Sequence, residues 1–240
     1  MKPDSTIGKI SQFLQAHEGS LLIVFFGILI PLCWFDWLAE AIRHQENLPW
    51  DTAVLRFLQG SLPLGGDKLL SLIARTGEIN VVVVLAVVGV LVLKRARRMR
   101  DAFFLTFALV GVVIGNLLVR TLVQRTQSTV WGTFAPTFES GFPSSQAADT
   151  FTIALVFAVL TWPTRWRWLT VLLGVFYVFA VGLSRVHLGL HYPSDVLAGW
   201  TLALAWVTTA SFVRRTPIKP KKSAIETETG EDRRGGSGPK

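Results

Sequence analysis

The residues from Ser184 to Asp195, Ser-Arg-Val-His-Leu-Gly-Leu-His-Tyr-Pro-Ser-Asp, place Arg185, His187, His191 and Asp195 within about three helical turns. The planar guanidinium of Arg185 can grip phosphate oxygens, and a neutral ring nitrogen of His191 can attack phosphorus. Asp195 can hold the other ring nitrogen and set the tautomer. This is equipment for phosphoryl transfer without a metal. His187, one turn before His191, reads as a packing or hydrogen-bonding neighbour.

The stretch ends one long apolar run and begins another, so membrane helices must position it. Half of the 240 residues are hydrophobic and 17% are charged, a balance too apolar for a soluble domain and suited to a polytopic membrane protein. Six segments are apolar enough to cross a bilayer, at 20–37, 78–93, 102–119, 147–162, 168–183 and 196–213. Several fall short of the usual length of about 20 residues, so each is expected to borrow a turn from its flanks. The run Val81-Val82-Val83-Val84 has strand propensity, but hydrocarbon demands internal backbone hydrogen bonding and favours helix. The fold class is therefore all-α: a six-transmembrane-helix bundle. Between spans 1 and 2, residues 38–70 mix apolar positions (Val54, Leu55, Phe57, Leu58) with the breakers Pro49, Pro63, Gly65 and Gly66, which predicts short interfacial helices. Trp34, Trp37 and Trp50 suit the headgroup level.

The net charge of +8 comes from clusters beside apolar runs, densest at Lys94-Arg95-Ala96-Arg97-Arg98-Met99-Arg100, which fits loops against anionic lipid and not a nucleic-acid surface. If six spans alternate, that loop, the loop with Arg165 and Arg167, and the tail from Arg214 share one side. The positive-inside rule makes that side, and both termini, cytoplasmic. Residues 120–146 and 184–195 then meet on the outer face, the periplasm if the chain sits in a bacterial inner membrane. Three parts follow: a cytoplasmic segment at 1–19, a membrane domain at 20–213 with its first span an uncleaved anchor, and a tail at 214–240 too poor in apolar residues to fold. Cys33 is the sole cysteine, so no internal disulfide or cysteine metal site is expected.

Two further constellations occupy the outer side. Arg120-Thr121-Leu122-Val123-Gln124-Arg125-Thr126-Gln127-Ser128 follows span 3, and Phe142-Pro143-Ser144-Ser145-Gln146-Ala147 precedes span 4. With Ser-Arg, five residues, His, three residues, Asp, they resemble the three signatures of the phosphatidic acid phosphatase type 2 and vanadium haloperoxidase superfamily, integral-membrane lipid phosphatase branch. The resemblance covers about the C-terminal half. It implies His191 as a nucleophile that becomes phospho-histidine, Asp195 as its orienter and Arg185 as a phosphate ligand. It also implies a lipid phosphate or diphosphate substrate, polyprenyl (undecaprenyl diphosphate, for example) or glycerolipid, and no cofactor.

The first two signatures are degenerate. Arg120 stands where the family has lysine, Gln127 where it has arginine and Ser128 where it has proline, while Arg125 lies close enough to reach phosphate instead. Pro143 and Ser144 match; Ser145 replaces glycine, and Gln146 replaces the histidine that acts as general acid. A positioned acid contributes about 10²–10⁴-fold, and one preorganised donor to an oxyanion about 10²–10³-fold. A diphosphate substrate shrinks the penalty, because its leaving group departs without full protonation. Gln127 and Gln146 still donate neutral hydrogen bonds, and Ser144, the Ser145 backbone and the N-terminus of span 4 add donors to an anion. Three readings stay open: an active lipid phosphatase or phosphotransferase; a weakened relative that binds lipid phosphate without turnover; and a transporter or structural membrane protein whose polar cluster, with Asn116 and Asp149, serves permeation or packing. The sequence leaves the oligomeric state open.

Overall fold

The computed structural model describes residues 18–44, 48–61, 67–123, 125 and 141–215. Helix α1 spans Glu18–Arg43 and contains a π-type turn at Phe25–Leu29, just before Pro31, whose ring nitrogen cannot donate to the preceding turn. It is followed by α2 (Pro49–Ser61), α3 (Asp67–Thr76), α4 (Ile79–Arg95), α5 (Met99–Leu122), α6 (Ser145–Thr161), α7 (Arg167–His187) and α8 (Pro193–Arg215). No strand occurs among the described residues, and the valine run lies inside α4.

Helices α1, α5, α7 and α8 are each long and apolar enough to cross a membrane. Helices α3 and α4, bent by 49° at their junction, make a fifth candidate if taken as one span, while α6 is a shorter apolar helix of 17 residues. Four or five spans thus meet the criterion of length and composition, and the expected count of six is not established. The residues at 145 and 146 that begin α6 are polar, which shortens its apolar length. As expected, α5, α7 and α8 each extend past their apolar segments at both ends.

Large apolar side chains face outward all along the bundle, Phe103 (63% exposed), Leu117 (61%) and Phe176 (74%) among them. A water-soluble surface does not carry such continuous apolar area; a lipid-facing one does. Inside, α6 packs against α5, α7 and α8, and α1 leans on α8. One core joins α4, α5, α6 and α8 through Val82, Phe104, Ala108, Val156 and Val207. Close approach of α8 to the start of α6 depends on Gly199, where a Cβ would stand 2.6 Å from the Ser144 carbonyl oxygen and 3.1 Å from Ala148 N. The stretch 38–70, expected to form short helices, contains α2 and the start of α3; α2 packs on α7 and α8, and α3 on α7.

Candidate active site

The turn between α7 and α8 is set by local chemistry. Gly189 has φ 68°, a left-handed conformation that costs glycine little, and its N–H donates to Val186 O at 2.9 Å while Leu190 N–H donates to Arg185 O at 3.0 Å. The chain reverses and presents His191. Pro193 then starts α8, and Asp195 reaches back to cap it: Oδ2 accepts Tyr192 N–H at 2.8 Å.

His191 is buried (1% exposed), and Nδ1 lies 2.9 Å from the carbonyl oxygen of Gly141. A carbonyl only accepts, so Nδ1 carries the proton and Nε2 keeps its lone pair. The sequence reading gave the orienting role to Asp195, whose carboxylate stands at ion-pair distance from the ring. Asp195 Oδ2 is 3.7 Å from Nδ1, beyond hydrogen-bonding distance, because the carboxylate is held by the Tyr192 N–H and by Arg125. Burial is the main force pushing the His191 imidazole below its ordinary value; the Asp195 carboxylate opposes it, and Arg185 and Arg120 add to it. The ring is thus kept neutral, the state a nucleophile needs.

Three sequence-distant stretches are stitched together here. Ser144 N–H donates to the Asp195 backbone oxygen at 3.0 Å, and Gly141 N–H to that of Arg125 at 2.8 Å. Arg120 Nη2 donates to Ser145 Oγ at 3.1 Å and to Pro143 O at 3.4 Å, which brings this cation to the first turn of α6. Ser145 Oγ in turn donates to Gln146 Oε1 at 3.2 Å, leaving the amide nitrogen of Gln146 with its donors. The α3–α4 junction closes over this corner, with Gly77 placed so that a Cβ would lie 3.3 Å from Gln146 Cβ.

Two expected phosphate ligands are placed otherwise. The Arg125 guanidinium is spent on protein: Nη1 donates to Asp195 Oδ1 at 2.5 Å and to Ser194 Oγ at 2.8 Å, Nη2 donates to Asp51 Oδ2 at 3.1 Å, and its plane lies 4.4 Å from the Tyr192 ring centroid. Ser144 is fully enclosed and caps α6, accepting Ala147 N–H at 3.4 Å. Gln127 lies outside the described residues, as do nearly all of the segments 1–19 and 214–240. His187 is a hydrogen-bonding neighbour, donating from Nδ1 to Leu58 O at 3.1 Å.

Sequence reasoning missed Asp51. It is 2% exposed, and besides Arg125 it accepts Ser194 N–H at 2.9 Å and Ser194 Oγ–H at 2.6 Å. Its signal was present: Leu48, Asp51 and Leu55 are all buried and share one helical face, so a carboxylate sat on the apolar side of α2.

The PAP2 superfamily model matches residues 120–217, the segment that contains all three stretches. By this match the segment is similar to PAP2 domains. Its relatives include an undecaprenyl-diphosphatase from Sulfolobus acidocaldarius, 32% identical over 123 residues that make up 49% of this chain and 56% of that protein. The bacitracin transport permease protein BcrC of Bacillus licheniformis is 33% identical over 51% of this chain and 55% of its own. A lipid A 4'-phosphatase from Bacteroides thetaiotaomicron is 42% identical over 36% of this chain and 40% of its own. The PAP2 match therefore spans about half the length of these relatives or less. Two crystal structures share the fold: the Bacillus subtilis PAP2-type phosphatidylglycerolphosphate phosphatase (TM-score 0.69, 16% identity, 81% of this chain and all of that one) and Aquifex aeolicus LpxE (TM-score 0.58, 19% identity, 70% and 98%). The apolar helices and these relatives mark the chain as a membrane protein.

Proposed function

We propose that this PAP2 protein is a membrane-integral lipid phosphatase or phosphotransferase acting on a polyprenyl or glycerolipid phosphate, preferentially a diphosphate. The observation that carries the reading is the buried His191 with Nδ1 bound to Gly141 O, which leaves Nε2 as a neutral nucleophile beside Arg185 and Arg120. Nε2 attacks phosphorus as the bond to the lipid-side oxygen breaks; water or a second lipid hydroxyl then attacks the phospho-histidine and returns the nitrogen lone pair. Arg120 and Arg185 balance charge on the transferred phosphoryl group. Purified protein offered a panel of lipid mono- and diphosphates should release phosphate, fastest from a diphosphate. No release from any member would leave the second reading, a binding protein that does not turn lipid over, which Gln146 and Gln127 favour.

Gln146→His should raise the rate on a monophosphate, whose alkoxide leaving group needs a proton, by about 10²-fold or more, and should raise it less on the diphosphate of the same lipid. An equal factor on both would remove Gln146 from the leaving-group side.

The reading includes six spans with both termini cytoplasmic and the site facing the periplasm. In a Cys33→Ser background, Glu78→Cys and Arg98→Cys, at opposite ends of α4, should label from opposite sides of the membrane, Glu78→Cys from outside. Labelling of both from one side defeats this topology.

A further inference from the structure

At the end of the bundle remote from His191, the α4–α5 turn and the last turn of α8 border an open cavity of about 600 Å³ lined by Arg97, Arg98, Met99, Arg100, Asp101 and Arg214. Asp101 and Arg120 lie on the same helix nineteen residues apart, or about 28 Å at 1.5 Å per residue, close to the hydrocarbon thickness of a bilayer. The cavity is therefore separate from the candidate active site.

Three features bear on what it can hold. Four arginines and one carboxylate line it, and that carboxylate is buried: Asp101 is 8% exposed and accepts Arg98 Nε at 2.6 Å and Arg214 Nε at 2.9 Å. Among the described residues these two arginines bond through Nε, so Asp101 orients their forks while leaving the Nη donors for a ligand. The turn itself is strained to hold an arginine. Arg97 has φ 56° where glycine is the usual occupant, with Arg98 N–H closing on Leu93 O at 2.8 Å. The left-handed conformation costs a non-glycine residue about 1 kcal/mol, a cost that a side chain used for binding explains. Finally, the N-terminus of the 24-residue α5 opens at this turn and adds its positive end.

We propose that this cavity binds the phosphate group of an anion, which at a membrane face is the headgroup phosphate of an anionic glycerophospholipid. The test uses the full chain in detergent and native mass spectrometry of retained phosphatidylglycerol, with phosphatidylcholine as the comparison. Wild type should retain phosphatidylglycerol preferentially. Arg97→Gln with Arg100→Gln, both outside the Asp101 pairing, should reduce that retention about tenfold or more and leave phosphatidylcholine unchanged. Displacement of phosphatidylglycerol by millimolar inorganic phosphate would assign the site to free phosphate, and resistance to displacement would assign it to the lipid headgroup. Equal retention of the two lipids by wild type, or unchanged phosphatidylglycerol retention in the double arginine variant, overturns the proposal.

Discussion

His191→Ala should reduce lipid phosphate turnover by on the order of 10⁴-fold or more, because no other described histidine has both an arginine cluster and a tautomer-fixing acceptor around it. His187 also has a carbonyl on Nδ1, Leu58 O, so labelling and not the tautomer separates the two rings. A substrate labelled in its terminal phosphate should mark wild type transiently with acid-labile label and leave His191→Ala unmarked. Label on the alanine variant would refute the assignment. The pH profile carries the same signature. Activity should be lost as pH falls through the His191 value, where Nε2 gains a proton. Burial lowers that value, so the acid limb should lie below about 6.5, the ordinary value for histidine. Asp195→Asn removes the charge that opposes the shift and should move the limb lower still, besides weakening the start of α8.

Arg125→Leu should cost about 3–5 kcal/mol of stability, the largest structural loss foreseen for a single side chain here. Two carboxylates, each with a side chain 2% exposed, share this guanidinium, and its removal leaves Asp51 and Asp195 facing each other's charge with only neutral donors. The cation–π contact with Tyr192 is lost as well. Adding Asp51→Asn to Arg125→Leu removes one of the stranded charges and should recover part of the loss, as read from thermal unfolding in detergent. A double variant no more stable than Arg125→Leu would show that the network is not electrostatically coupled.

The helices were legible because hydrocarbon imposes a local rule: α4, α5, α7 and α8 follow from contiguous apolar runs, and even a run of four valines is forced into helix. Arg185, His191 and Asp195 were legible for a different reason, since one turn closed by Gly189 and Pro193 presents them all. What the sequence hid is what long-range contacts decide. Ser194 meets Asp51 across 143 positions, and His191 meets Gly141 across 50. No spacing rule reports that a backbone carbonyl, not Asp195, will face Nδ1. Arg125 was given to phosphate because its partner Asp51 sat in a stretch read only as interfacial covering. The span count was limited in another way: α6 is 17 residues long, and α3–α4 counts as a span only as a bent pair, so length and composition do not fix six.

The acceptor on His191 Nδ1 is main chain, and this has an evolutionary consequence. A side-chain orienter can be deleted by one codon change, but a peptide carbonyl is present whichever residue occupies position 141. The His191 tautomer is therefore buffered against drift in the surrounding motifs. Side chains at positions such as 145 and 146 can change while His191 Nε2 keeps its lone pair.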